Sequence, residues 1–183
     1  TGATNIAPSN SSAFLVSDNC PTTLEWIECS SPNSNTYNPA IYISASSGST
    51  LRTLQNLLIY DSPGPSYSPT AGILCYYAAT LVQNTIIYDC GGSGIASLDT
   101  ISNFFNVTIV NTGKGFIFSD SVYNTDLNIK NCIVMDSSSS TDFQHASPSH
   151  VTVSNNMSSD TSASGTDSLV SKASLDQFVS NVS

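Results

Sequence analysis

The chain has 183 residues, enough for one domain with a substantial core. Thirteen acidic residues against four basic ones give a formal net charge of −9. Arg52, Lys114, Lys130 and Lys172 lie far apart, so no basic cluster exists to neutralise phosphates; this excludes nucleic acid as a partner and disfavours anionic membrane surfaces.

Residues 1–21 read as an N-terminal extension or cap. They hold Cys20 and the first glycosylation sequon, at Asn10. The chain begins at Thr1, which suggests a processed amino terminus or a piece of something longer. A first coil is expected from Leu24 to Ala45. There Glu28-Cys29 is set against Asp61-Ser62 and Asp89-Cys90 further on, which places Thr23 in the column described next.

From residue 56 onward one local frame recurs. Asn56, Asn84, Asn106, Asn131 and Asn155 follow one another at intervals of 28, 22, 25 and 24 residues. Two positions before each stands an apolar residue: Leu54, Val82, Phe104, Ile129 and Val153. Five positions after each stands Asp61, Asp89, Asn111, Asp136 or Asp160. The intervening residues, as in Asn-Thr-Ile-Ile-Tyr-Asp from 84, are mostly β-branched or aromatic and favour a short strand ended by a turn. The segment from 155 has decayed to polar residues.

A second column confirms the register. It reads Ala40-Ile41, Gly72-Ile73, Gly94-Ile95, Gly115-Phe116, Asp142-Phe143 and Ser168-Leu169. A third short segment precedes each Asn, as in Thr80-Leu81-Val82 and Leu127-Asn128-Ile129. Three short strands per period of 21 to 28 residues predict an all-β, single-stranded parallel β-helix over residues 22–169, with about six coils. An antiparallel sandwich would explain short strands but not the fixed separation of Asn and Asp. Residues 170–183 read as a C-terminal capping tail.

In this frame the Asn column is a structural ladder. Asn tolerates a left-handed corner, and stacked amides can donate to one another while satisfying buried polar groups. The Asp column reads as strand-end turns. No metal or catalytic site is expected, so the cofactor expectation is none; a Ca²⁺ ion held between coils by Glu25, Glu28, Asp61, Asp89 and Asp136 is an alternative. Asn106 is expected to point inward and carry no glycan; Asn156 and Asn181 are the remaining sequons. The five cysteines show no metal-ligand spacing. Cys29 and Cys90 are expected in one column two coils apart, too far for a bond, which leaves Cys20 with Cys29 as the only local pair. His145 and His150 share a Ser/Pro-rich stretch near Asp142 and make a weak acid–base or metal candidate.

The stretches TLVQNTIIYDCGGSGI, LNIKNCIVMDSSSSTDF and VSNNMSSDTSASGTDSLV resemble the right-handed parallel β-helix repeat proteins of pectate-lyase-like fold. Their similarity is to non-enzymatic repeat modules of bacterial and phage surface proteins. The resemblance spans roughly residues 22 to 180 and implies a right-handed helix. Lyases on this fold use calcium-binding carboxylates with an Arg or Lys base. Arg52 is the only arginine, and a structural surface role is expected for it. Related galacturonan hydrolases carry an Asn-Thr-Asp matched here by Asn124-Thr125-Asp126, but their Asp pair, Gly-His-Gly and Arg-x-Lys have no counterpart.

The functional expectation is a non-catalytic structural module of an extracellular or virion assembly, such as a capsid decoration, fibre or tailspike part. Its partners would be further copies of itself, as a trimer or in lateral or end-to-end contact, or a larger capsid or surface protein. Two alternatives stand beside it. One is a carbohydrate-binding or adhesive module using Tyr60, Tyr67, Tyr76, Tyr77 and Tyr88 as stacking faces on a polysaccharide. The other is a polysaccharide lyase or glycoside hydrolase.

Overall fold

A computed structural model of the chain describes residues 4–6, 14–17, 23–30, 39–45, 51–62, 71–98, 101–119, 126–139, 141–145, 151–163 and 165–173. The strands are β1 (Thr4–Ile6), β2 (Phe14–Val16), β3 (Thr23–Glu25), β4 (Ile27–Ser30), β5 (Ile41–Ser44), β6 (Arg52–Gln55), β7 (Leu58–Tyr60), β8 (Ala71–Tyr76), β9 (Thr80–Leu98), β10 (Ser102–Ser119), β11 (Leu127–Lys130), β12 (Ile133–Met135), β13 (Phe143–His145), β14 (Val151–Ser154) and β15 (Met157–Ser158). Every pairing among them is parallel. None of the described elements is a helix long and apolar enough to cross a membrane.

The pairings form three stacks. The first face runs β3, β6, β9, β10, β11, β14. The second runs β1, β4, β7, β9, β10, β12, β15. The third runs β2, β5, β8, β9, β10, β13. β9 and β10 each make a whole coil, contributing to all three faces in turn. The molecule is an all-β parallel solenoid of about four turns, fewer than the six expected. The shortfall has a local cause. The repeat thins at its ends: below β3 the first face has no described strand, and β14 and β15 are followed by no described third-face strand.

The core is the set of inward columns. Leu54, Val82, Phe104 and Ile129 line the first face, Ile59, Ile87, Ile109 and Val134 the second, and Ile41, Ile73, Ile95, Phe116 and Phe143 the third, all nearly or fully buried. Phe104 and Phe116 meet edge-on at 5.3 Å, and Phe116 stacks on Phe143 at 5.3 Å. No coil could bury these side chains alone; stacking at ~4.8 Å per coil makes one continuous core. Arg52, expected at the surface, is buried (3 % exposed), because it opens β6 on an inward position two residues before Leu54.

Corners separate the faces, and two of the three are made by single left-handed residues. Asn56, Asn84, Asn106, Asn131 and Asn155 have φ of 50–57°, and Asp61, Asp89, Asn111 and Asp136 have φ of 48–59°. One such residue breaks the in–out alternation of a strand, so two neighbours in a row face solvent. Gln55 and Asn56 both point out before Leu57 turns in; Tyr60 and Asp61 repeat this before Ser62. The asparagines therefore stand outside. Asn84, Asn106, Asn131 and Asn155 are exposed, which corrects the expectation of an inward ladder.

Three further expectations are corrected by the register. Thr23 pairs with Thr53 and Glu25 with Gln55, so Trp26, at φ 58°, occupies the Asn corner of its coil. Glu28 pairs with Leu58 and Cys29 with Ile59, three positions away from the Asp-Ser frame assigned to them, and Cys29 shares no column with Cys90. The last coil also takes another register. Ser154 bridges Thr166 and Met157 bridges Leu169, and Asp167 takes φ 57° as the next corner residue. Leu169 thus belongs to the second face rather than to the Gly-Ile column. This last coil is short, with 12 positions from corner to corner instead of more than twenty.

Candidate functional site

The most regular polar features of the surface are the two corner columns. On the Asn edge, Asn84 Nδ2 donates to Asn56 Oδ1 (3.4 Å) and Asn106 Nδ2 donates to Asn84 Oδ1 (3.1 Å). Backbone bonds continue the edge, from Asn131 N to Ser154 O and from Asn155 N to Thr166 O. Beside it, on the first face, Gln83 donates to Gln55 (2.7 Å) and Gln55 to Glu25 (2.5 Å). Asn128 donates to Asn103 in the same manner (2.9 Å). Side-chain ladders thus run outside the coil, where water competes and each bond contributes little.

On the Asp edge lies an open groove of about 440 Å³, lined by Asp61, Asp89, Cys90, Gly91, Asn111, Thr112, Gly113 and Ser138. Asn111 Nδ2 donates to Asp89 Oδ1 at 2.5 Å. The groove runs along the solenoid axis because each coil contributes the same corner. Gly113 lets adjacent backbones approach: a Cβ there would meet the Gly91 and Gly92 carbonyls inside 3.0 Å. The ladder register slips between Thr112 and Lys114, which places Gly113 at a bulge. Asp136 stands at the same corner outside the groove lining.

Next to the groove, Tyr60 and Tyr88 stack with centroids 5.3 Å apart and planes 14° from parallel. They are half-buried on the outside of the second face, not core residues. Tyr60 Oη donates to Glu28 Oε1 at 2.8 Å. The Tyr88 phenol is pushed above its ordinary pKa, first by burial and then by the carboxylates of Asp61, Asp89 and Glu28. The groove and the tyrosine pair therefore share one negative field. Among the described residues, no group of three or more His, Cys, Asp or Glu side chains is placed to hold a metal ion.

The second face carries an apolar exterior. Its outward columns read Leu58, Ile86, Thr108, Ile133, Met157 and then Tyr60, Tyr88, Val110. Ile86 is 48 % exposed, and Trp26 at the adjoining corner is 68 % exposed.

Of the remaining candidates, Cys29, Cys75, Cys90 and Cys132 are free and buried. Burial is the first cause pushing each of these thiols up to about 12. At pH 8 the thiolate is then roughly a thousandfold scarcer than for a free cysteine. Native protein is expected to leave these four unmodified by iodoacetamide on the timescale that labels them fully in urea; mass spectrometry showing equal labelling in both states would refute their burial. Asn156 is buried, accepting from Cys132 N (2.9 Å) and donating to Ile129 O (3.0 Å), so its sequon is closed to a glycan. The sequon at Asn106 is exposed instead, and the inward argument against a glycan there falls away. Cys20, Tyr67, His150, Asn10, Asn124, Thr125 and Asn181 lie outside the described residues. The backbone of His145 ends β13 opposite Phe118.

Asp142, named from the sequence as a column member and as a neighbour of the histidine candidate, is a buried carboxylate, 1 % exposed. Its Oδ2 accepts from Ser159 N (2.6 Å), Ser159 Oγ (2.8 Å) and Asp160 N (3.2 Å). Asp160 answers it, with Oδ2 accepting from Asp142 N (3.0 Å) and Oδ1 from Ser162 N (2.8 Å) and Ser162 Oγ (2.5 Å). Asp160 does not take the left-handed conformation of the other members of its column. Its side chain caps an edge instead.

No family model matches the chain, and neither does any curated protein or solved structure.

Proposed function

We propose that this chain is a non-catalytic structural β-solenoid module within an extracellular or virion assembly, in the manner of the non-enzymatic repeat modules its sequence resembles. The observation that carries this reading is the apolar exterior of the second face, on a chain whose formal charge is −9. Its outward residues are mostly apolar and half-buried, with Ile86 about half exposed, and an outward apolar column of this kind suits a surface that meets something else. The corner columns support the same reading, since their conformations account for the chain's most regular Asn and Asp residues as structural parts. Incubated with neutral and acidic polysaccharides, the chain is expected to release no reducing or unsaturated sugar ends. Release that disappears in Asp89→Asn would overturn the proposal.

A second reading, carbohydrate binding, is favoured by the stacked Tyr60–Tyr88 pair beside the groove. Aromatic faces next to hydrogen-bonding side chains suit a polyhydroxylated chain laid along the axis. Asp61 and Asp89 sit one coil apart, ~4.8 Å by strand spacing, near the separation that retaining glycosidases require. Against a cleaving role, Asp89 is already engaged by Asn111 in the corner ladder.

A further inference from the structure

We infer that the second face is an interface between two copies of this chain, packed face to face with solenoid axes parallel and strands antiparallel. The inference rests on the structural-module reading and specifies its partner. Leu58, Ile86, Ile133 and Met157, interrupted by Thr108, with Tyr60 and Tyr88 beside them, form an outward surface, half-buried except at Ile86, that carries no charged side chain between its two edges below Glu28.

The edges decide the occupant and the orientation. One edge is the Asn column and the other is the Asp column, about 17 Å apart along the strands. A two-fold axis parallel to the solenoid axis sets the Asn edge of each copy over the Asp edge of the other. Asn84 then offers an amide N–H to Asp89 of the opposing copy, because an amide has two and the ladder takes one, while Asn106 stands over Asn111, amide to amide. The other face-to-face arrangement, with axes antiparallel, sets Asp61, Asp89 and Asp136 against their own counterparts and is opposed by like charge. A second copy is therefore matched twice, apolar face to apolar face and donor edge to acceptor edge.

A face of about 17 Å by about 24 Å buries on the order of 1,000 Å² across both copies, the low end for a specific pair, so association in the micromolar range is expected. Sedimentation velocity across a wide concentration series tests it. The unaltered chain is expected to form a dimer. Ile86→Lys should weaken it at least tenfold, whereas Thr53→Lys, with the same charge change on the outside of the first face, should not. Orientation is read by oxidation: a mixture of Asn84→Cys and Asp89→Cys chains should cross-link, and neither alone should. A monomer at all concentrations, a trimer, equal weakening by the two lysine variants, or cross-linking of Asp89→Cys with itself would overturn the interface. A monomer that releases no sugar would sink this interface and leave the structural-module reading standing, whereas Asp89-dependent release would sink that reading first.

Discussion

Gly115→Ala is expected to cost more than about 3 kcal/mol, at the severe end of overpacking, because the space it needs belongs to backbone. A Cβ at Gly115 would stand well under 3.0 Å from the Asp142 carbonyl and from Val134 Cγ1. That carbonyl accepts the Phe116 N–H at 2.8 Å, so the two coils cannot part without losing the bond. Valine is stiff at χ1 and has no empty rotamer to retreat into within a packed column. Gly94 and Gly72 occupy the same column one and two coils earlier, each with a Cβ position inside 3.0 Å of its neighbours. The requirement is thus a property of the column, where a large inward residue follows the turn immediately. In a solenoid the damage is local first. Hydrogen exchange should show β11 to β13 losing protection while β9 keeps it, and urea unfolding should give the magnitude. A variant within about 0.5 kcal/mol of the parent would show that the coils can move apart freely, contrary to this account.

The difference between what the residues announced and what they concealed follows from the corners. A left-handed corner strongly restricts residue type, so Asn and Asp recur there and the period is readable by eye. The period alone does not say which way the corner side chain points. That depends on parity: a single left-handed residue puts itself and its predecessor on the same side, so the ladder that looked internal lies outside. Trp26 is not legible as a corner because it violates the residue preference there, and Glu28-Cys29 offers the nearer letter match, three positions out of step. The Gly-Ile column was legible because Gly94 and Gly115 repeat before a large apolar residue; its last member was not, since the final coil is cut short and Leu169 falls on another face. The groove was legible only as a stripe of acids. Its glycine-dependent depth needed the coil-to-coil distance, which no spacing in the sequence encodes. Asp142 was legible as a column member but not as a buried carboxylate, because its partners Ser159 and Asp160 come from a segment whose apolar pattern has decayed.

Removing the Asp142 carboxylate is expected to unfasten the last coil. After β13 the described chain supplies no further third-face strand, and the N–H groups of Asp142 and Phe143 would face an open edge. Asp160 Oδ2 takes the first (3.0 Å) and Ser162 Oγ the second (2.8 Å), standing in for strand carbonyls. Asp142 in turn fixes Ser159 and Asp160 through three donated bonds, so the two acids clasp one another's backbone. Asp142→Ala leaves three donors without their acceptor in a site that is 1 % exposed, a loss of about 3 kcal/mol or more. Asp142→Asn keeps one acceptor oxygen but turns an amide N–H₂ toward those donors, and should fall between. The clasp also carries a pH dependence of definite sign. Burial pushes the Asp160 carboxyl up, but the hydroxyl and N–H of Ser162, the N–H of Asp142 and the Ser158 hydroxyl together outweigh it and hold the group below the usual carboxylate range. A folded-state value below the unfolded one means stability that is fully present above about pH 4–5 and lost as pH falls through the folded value. Acid should therefore release the segment from Ser158 to Ala163 before the coils of β9 and β10. Amide resonances of Asp142 and Ser162, followed by NMR on acidification, should shift together in the parent chain. In Asp160→Asn they should shift less steeply, on a clasp already weaker at neutral pH. If the Ser162 amide keeps its position and protection down to about pH 2, or if the Asn variant titrates as the parent does, the carboxylate does not hold this edge.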